Sequence, residues 1–203
     1  ASDGRSSLRE MVDAAIEHSL QYLGISDHSR SSVQARGLSE SQLLEQVRSI
    51  RQLNAELGPD FRIFTGVECD ILKDGSLDYP DDILAQLDYV VASVHNAFEM
   101  SEAAMTERII RAIENPHVTM LGHLSGRLLL TREPYLLDIP QVIDAAARTS
   151  TWIELNGNGR RLDMDWRLWP LAKRKGVRCV INPDAHHVSQ FQNLRFGANI
   201  ARK

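Results

Sequence analysis

The stretch Cys179-Val-Ile-Asn-Pro-Asp-Ala-His-His187 decides the fold. The apolar run 177–181 has the length of a buried strand, and Asp184 and His186 follow it directly. Open α/β sheets and barrels of parallel strands carry their sites at this end of the strands. The stretch therefore predicts a strand that delivers a carboxylate and an imidazole to a site.

Four other apolar segments end in the same way. Segment 22–26 precedes Asp27 and His28, and segments 61–67, 89–94 and 118–122 precede Glu68, His95 and His123. Together with the stretch that ends at His186, five segments place a metal-ligand residue at the same end. We predict that these ends converge on one polynuclear metal centre.

Helical patterns alternate with these segments throughout the chain. Strands are predicted over 22–26, 61–67, 88–94, 118–121, 151–155 and 177–181, and helices over 8–20, 39–57, 81–87, 101–113, 139–148 and 165–175. Six β-then-α units in strict alternation predict an α/β fold with a parallel sheet and right-handed crossovers. Since one centre can draw ligands from many strands only if their ends surround it, we expect a closed or nearly closed barrel rather than a doubly wound sheet.

Composition limits the classes of function. The 203 residues include 43% hydrophobic and 25% charged residues, which is typical of one large globular domain. The net charge of −4 excludes a uniformly basic nucleic-acid binder, so any contact with a polyanion needs a local patch or bound cations. Two cysteines, Cys69 and Cys179, provide no disulfide framework, which favours a cytoplasmic setting. No membrane span or signal peptide is visible.

The position of each of the seven histidines relative to the predicted strands separates predicted metal ligands from ordinary residues. The rim of strand ends holds His28, His95, His123 and His186, which we predict to be ligands. The other three, His18, His117 and His187, fall inside a helix, before a strand or beside a predicted ligand, and we expect ordinary surface roles for them.

The candidate carboxylates are not equally well supported as metal ligands. Glu68 closes an apolar strand, where an unpaired carboxylate would cost several kcal/mol, so it is the best bridging ligand; a salt bridge to a rim arginine is the alternative. The same argument supports Asp184 as a ligand, because it also follows an apolar strand. Asp3 can equally be a helix cap, and Asp27 is expected to orient His28 rather than bind an ion. A set of His, Asp and Glu ligands suits Zn²⁺, Mn²⁺ or Fe²⁺.

The ordered motifs resemble those of the PHP (polymerase and histidinol phosphatase) superfamily. The motifs are Ser2-Asp3-Gly4, Gly24-Ile-Ser-Asp-His28, Gly66-Val-Glu68, Ser93-Val-His95, Gly122-His123 and Asn182-Pro-Asp-Ala-His186. The stretches 122–135 and 154–166 resemble most the C-terminal PHP domain of bacterial family X DNA polymerases. The resemblance implies a distorted seven-stranded (βα) barrel of PHP type. The family's first strand, with a His-x-His motif, precedes Ser-Asp-Gly, so we expect that strand to be missing and residues 1–203 to be a single PHP metallohydrolase domain truncated at both ends.

The resemblance also implies roles for individual residues. Glu68 is expected to bridge two metal ions, with His95 and His123 completing one and Asp184 binding the other. A third ion is expected at His28, His186 and Asp3. Up to three divalent ions, Mn²⁺ or Zn²⁺ with Fe²⁺ as an alternative, are implied. The catalytic group is then Glu68, Asp184 and His186, and Arg127, Asn156 and Arg161 are expected to contact the substrate.

The activity that the resemblance implies is phosphodiester hydrolysis on DNA. We expect a 3′→5′ exonuclease, with AP-endonuclease activity as an addition, attached to a family X DNA polymerase and serving DNA repair. Its partners would be single-stranded DNA or 3′ ends and upstream polymerase domains of the same polypeptide. Two alternatives stay open: a phosphomonoesterase of the histidinol-phosphatase kind, and a catalytically degenerate PHP module that stabilises or regulates an attached polymerase.

Overall fold

One parallel sheet forms the centre of the molecule in the computed structural model, which describes residues 2–203. Its six strands are β1 (Tyr22–His28), β2 (Arg62–Asp70), β3 (Tyr89–Ser93), β4 (Met120–Leu121), β5 (Trp152–Asn156) and β6 (Cys179–Asn182). Each strand pairs with the next one along the chain, in the order β1-β2-β3-β4-β5-β6. The sheet curls into a half-barrel, in which β1 and β6 are the two edges. The predicted α/β class is confirmed, and no seventh strand joins this sheet within residues 2–203.

Helices connect the strands and cover the sheet. They are α1 (Leu8–Glu17), α2 (Glu40–Leu57), α3 (Asp81–Leu84), α4 (Glu102–Ile113), α5 (Ile139–Thr149), α6 (Trp169–Arg174) and α7 (Leu194–Ala201). Local chemistry fixes where the long ones begin: Ser7 and Ser39 form capping boxes with Glu10 and Gln42. The helix predicted over 165–175 is shorter than expected, because its first turn is a 3₁₀ turn before α6.

Alternation along β2 separates the core from the site. Ile63 packs with residues of α1 and α2, and Val67 and Cys69 lie in a second apolar cluster that includes Leu43 of α2. The residues between them face the other way, because successive side chains of a strand point to opposite sides. Glu68 and Asp70 therefore share the face of β2 that points into the half-barrel.

Tyr89 fills the interior below the strand ends. Its ring lies across the backbone of β1 and β2, where a Cβ added to Gly66 would come within 2.3 Å of the Tyr89 Cζ atom and one added to Gly24 within 2.6 Å of the Tyr89 hydroxyl. Burial raises the pKa of this phenol above its ordinary value. The two glycines are thus required by the close approach of an aromatic ring.

The other side of the sheet carries the main apolar core. Ala92 of β3, Leu121 of β4 and Ile153 of β5 pack against Ile109 of α4 and Ile143 of α5. This packing holds β3, β4 and β5 in register, although β4 has only two residues. No helix within residues 2–203 has the length and apolar character needed to cross a membrane.

Candidate metal centre

Glu68, His95 and His123, here called the inner triad, meet at the ends of β2, β3 and β4. Oε1 of Glu68 lies 2.8 Å from Nε2 of His123 and 3.2 Å from Nε2 of His95, and the two Nε2 atoms are 3.3 Å apart. A tetrahedral ion with ligand bonds of about 2.0 Å spaces its ligand atoms about 3.3 Å apart. The three atoms therefore fit the coordination sphere of a single zinc-like ion.

Asp3, His28 and His186, here called the outer triad, lie beside the inner one. Oδ2 of Asp3 is 3.3 Å from Nε2 of His186, and Oδ1 of Asp3 is 3.9 Å from Nε2 of His28. The three residues offer ligand atoms within 4.8 Å of one another. They come from the start of the chain, the end of β1 and the segment after β6.

Glu68 connects the two triads. While its Oε1 faces the inner triad, its Oε2 lies 3.5 Å from Nδ1 of His28. That nitrogen is buried and has no hydrogen-bond partner among the described residues, which is costly for a polar atom. A cation near the two residues would offer that nitrogen a partner. The two oxygens of Glu68 therefore face different imidazoles, those of the inner triad and that of His28.

Asp184 stands next to the triads rather than inside one. Its Oδ2 accepts a hydrogen bond of 3.1 Å from the Asn156 amide and lies 3.4 Å from Nε of Arg161, and its Oδ1 is 3.8 Å from Nδ1 of His186. Among residues 2–203 it belongs to no group of three ligand atoms within 4.8 Å. Ligation by Asp184 therefore stays a prediction, whereas the other six predicted ligands lie in two adjoining sets.

The predicted substrate-binding residues form a second layer around Asp184. Arg161 has a buried Nη1 without a hydrogen-bond partner in the described part of the chain. Arg127 donates through Nε to the carbonyl of Arg161 at 2.8 Å and through Nη2 to that of Leu162. Asn156 is fully buried and donates to Asp184 and Glu154. Substrate contact by these side chains stays a prediction, and their observed contacts order the loop beside Asp184.

Two carboxylates at the centre escaped the sequence analysis. Asp70 closes β2 and hydrogen-bonds Nδ1 of His95 at 2.6 Å. Glu154 of β5 accepts hydrogen bonds from the backbone N–H of His123 at 2.7 Å and from the Asn182 amide at 2.9 Å. For Asp70, a signal was present in the sequence, since it follows Glu68 by two positions on the same strand face.

Residues that the sequence analysis did not predict as ligands have other contacts. His18 packs edge-on against Phe191, and the exposed His187 hydrogen-bonds Ser189, in line with the surface roles expected for them. The Asp27 carboxylate accepts hydrogen bonds from Ser2 and Gln46 and not from the His28 ring. The expectation that Asp27 orients His28 is therefore wrong, because neighbouring residues of β1 point to opposite sides of the sheet.

The electrostatics of the centre are those of a site arranged for cations. Burial would raise the pKa of Glu68, but the charges and hydrogen bonds of His95 and His123 hold that pKa well below its usual value. Burial opposes protonation of His95, yet Glu68 and Asp70 raise its pKa to about 10. A hydrogen bond to Asp3 raises the pKa of His186 to about 9. Protonated imidazoles thus supply positive charge to the carboxylates where metal ions would otherwise do so.

Comparisons with known proteins agree with this geometry. A family model described as "PHP domain" matches residues 1–156. The chain is 44% identical over 202 residues to "DNA polymerase/3'-5' exonuclease PolX" of Bacillus subtilis; the match takes in 100% of the chain and 35% of that relative, so the chain spans about a third of its length. It is 36% identical over 135 residues to a probable phosphatase of Caldanaerobacter subterraneus, covering 61% of the chain and 50% of the relative.

A solved structure has the same fold. The histidinol phosphate phosphatase of Lactococcus lactis, described as a complex with zinc, L-histidinol and phosphate, superposes with a TM-score of 0.72 over 99% of the chain and 88% of that structure. The two sequences are only 18% identical, so the likeness concerns the fold.

Proposed function

The chain belongs to the PHP domain family, and from this premise we propose that it is a metal-dependent phosphoesterase acting on DNA as a 3′→5′ exonuclease. The observation that carries the proposal is the inner triad, in which one carboxylate oxygen and two imidazole nitrogens lie within 3.3 Å of one another. The name of the PolX relative supports the choice of DNA and of an attached polymerase. A role in DNA repair is a further part of the proposal. AP-endonuclease activity is an additional expectation, and the proposed setting is the cytoplasm.

The residues of the two triads would hold the ions. The inner triad would hold one ion and the outer triad another. Glu68 and Asp184 would together hold the remaining ion that the family resemblance implies. When bound, Mn²⁺ or Zn²⁺ would lower the pKa of water towards neutrality and offset the negative charge of the phosphate. This is how a chain with a net charge of −4 can bring a phosphodiester to its surface.

Arg161 is the residue we assign to the phosphate. Its guanidinium lies 3.4 Å from Asp184, and its side chain keeps 17% of its surface exposed, so it is placed to donate to an oxyanion that approaches the centre. Arg127 holds the backbone of Arg161 in place. Asn156 fixes the carboxylate of Asp184. The catalytic group in this proposal is Glu68, Asp184 and His186.

Digestion of labelled DNA by the intact protein tests the proposal. We expect Mn²⁺-dependent shortening of a 5′-labelled single-stranded oligonucleotide from its 3′ end, and loss of that shortening in His186→Ala. The matched control is His117→Ala, since His117 precedes β4 and lies at the opposite end of the sheet. Absence of shortening by the intact protein, or equal shortening by His186→Ala, would overturn the proposal.

A small-molecule phosphomonoesterase is the second candidate. It is favoured by the probable phosphatase from Caldanaerobacter, which is 36% identical over 135 residues. The same metal centre would serve, and only the pocket around the substrate would differ. Turnover of histidinol phosphate that exceeds turnover of single-stranded DNA would decide for this candidate. Fewer than two tightly bound ions per intact chain would instead favour a degenerate module that stabilises or regulates a polymerase.

A further inference from the structure

Asp70 is a buried carboxylate to which the proposed function gives no role. It is 1% exposed and closes β2, two residues after Glu68. Its Oδ1 lies 2.6 Å from Nδ1 of His95, which makes this a short hydrogen bond. These two hydrogen-bonded side chains place Asp70 directly behind the inner triad.

Both oxygens of Asp70 are already used by protein groups. Besides His95, Oδ1 accepts a hydrogen bond of 2.8 Å from the Ser32 hydroxyl, and Oδ2 accepts one of 2.6 Å from the Ser31 hydroxyl. The backbone N–H of Asp70 in turn donates to the Ser29 hydroxyl at 2.9 Å. Asp70, His28 and His95 do offer three ligand atoms within 4.8 Å, but an ion there would have to displace these donors. The contacts therefore favour a role for Asp70 through His95 rather than direct ligation.

The contact determines which nitrogen of His95 faces the centre as a ligand. A carboxylate only accepts hydrogen bonds, so Nδ1 of His95 must carry the proton. A neutral ring then has its lone pair on Nε2, which faces Oε1 of Glu68 at 3.2 Å and Nε2 of His123 at 3.3 Å. A hydrogen bond of this kind orients a metal-binding imidazole and makes it a stronger base.

We propose that Asp70 is a positioning residue that fixes the tautomer and orientation of His95 for metal binding. The serine turn 29–32 holds Asp70 in place and thereby joins the loop after β1 to the inner triad. The inference rests on the metal centre of the proposed function, but it does not depend on which phosphate ester is the substrate.

Metal affinity measured without substrate tests the assignment. In the intact protein, Asp70→Ala should weaken Zn²⁺ binding about 10- to 100-fold in a competition titration with a chromophoric chelator, the range found when such partners are removed. It should also alter the ligand-field absorption of bound Co²⁺, a signature that a purely structural role would not move. Asp70→Asn keeps an acceptor for the His95 proton in the same shape, so its affinity should lie between those of Asp70→Ala and the unchanged protein.

Asp78→Asn is the matched control. Asp78 is 5% exposed, and its Oδ2 accepts a hydrogen bond of 2.7 Å from the backbone N–H of Ser31, so it supports the same turn without touching a predicted ligand. We expect this variant to keep the Zn²⁺ affinity and the Co²⁺ spectrum.

Three results would overturn the inference. These are Zn²⁺ affinity within threefold of the unchanged protein in Asp70→Ala, equal losses in Asp70→Asn and Asp78→Asn, and an unchanged Co²⁺ spectrum in Asp70→Ala. If Asp70→Ala does not fold, the comparison of Asp70→Asn with Asp78→Asn still decides. Lack of DNA hydrolysis by the unchanged protein would defeat the proposed function and leave this metal-binding test intact.

Discussion

At the residue scale, the centre depends on buried charges whose partners come from distant parts of the chain. One carboxylate oxygen of Glu68 lies close to the imidazoles of His95 and His123, and the other oxygen lies close to the imidazole of His28. Glu154 is 5% exposed, and burial raises the pKa of its carboxyl to about 6, although three N–H donors surround it. Such groups are tolerated only because each one has a partner, and loss of a partner leaves an uncompensated charge.

The raised pKa values of His95, to about 10, and His186, to about 9, make the metal-free protein sensitive to alkali. An unfolded histidine has a pKa of about 6.5, so the folded state binds these protons more tightly. This stabilisation is complete below about pH 6.5 and is lost as the pH rises through 9 and 10. We expect thermal melts in a chelator to show a falling melting temperature between pH 7 and pH 10.

A variant isolates the source of this alkaline effect. His95→Gln cannot take up the proton, so its melting temperature should depend less on pH over the same interval. A melting temperature of the metal-free protein that rises from pH 7 to pH 10 would contradict the assigned direction of the pKa shifts.

At the element scale, a buried arginine on α4 ties together the loops that follow β2 and β3. Arg108 is 2% exposed and donates to the carbonyls of Ile71, of Leu72 at 2.9 Å and of Asn96 at 3.0 Å. Burial lowers the pKa of its guanidinium. The first of these loops follows Asp70, and the second begins at Asn96, directly after His95. Arg108 of α4 therefore fixes the ends of the strands that carry the inner triad.

Arg108→Met should therefore destabilise the fold strongly. The substitution fills similar space but leaves several buried carbonyls without donors, and each such group costs about 1–3 kcal/mol. We expect a loss of roughly 3 kcal/mol or more in the free energy of unfolding, measured by urea denaturation. Arg111→Met on the exposed side of the same helix serves as the control. Equal losses for the two variants would show that Arg108 has no special role.

The elements were largely predictable from the sequence. The six strands lie within three residues of their predicted bounds, because an apolar run of about five residues between helical patterns is a local signal. The serine caps at Ser7, Ser39 and Ser101 are likewise local. The short β4 and the 3₁₀ turn before α6 were not predicted, since hydrogen bonds to neighbouring elements decide where such segments end.

At the scale of the whole molecule, the two edges of the half-barrel meet through the start of the chain. The backbone N–H of Arg5 donates to the carbonyl of His186 at 2.7 Å, and Asp3 contacts the ring of the same histidine. The outer triad thus links residues that are more than 180 positions apart, on the β1 side and the β6 side of the sheet. An ion held there would close a very long loop.

Zinc should therefore stabilise the intact protein against heat. A ligand that binds only the folded state at 100 times its dissociation constant adds about 2.7 kcal/mol. We expect Zn²⁺ to raise the melting temperature, and a chelator to reverse the rise. His186→Ala should reduce the rise, whereas His117→Ala should keep it. The same zinc-induced rise in His186→Ala would show that the outer triad does not bind the ion.

The sequence by itself determined the order of strands and helices, the family, and the rim on which His28, Glu68, His95, His123 and His186 meet. These features follow from local periodicity and from the direction shared by parallel strands. Only the tertiary structure decided that Asp70 hydrogen-bonds His95 and that Glu154 accepts a hydrogen bond from the backbone of His123. The same holds for the contacts of Asp184 with Arg161 and Asn156. The reason is physical: hydrogen bonds between side chains depend on the curvature of the sheet and on rotamers, and neither is encoded in the spacing of residues along the chain.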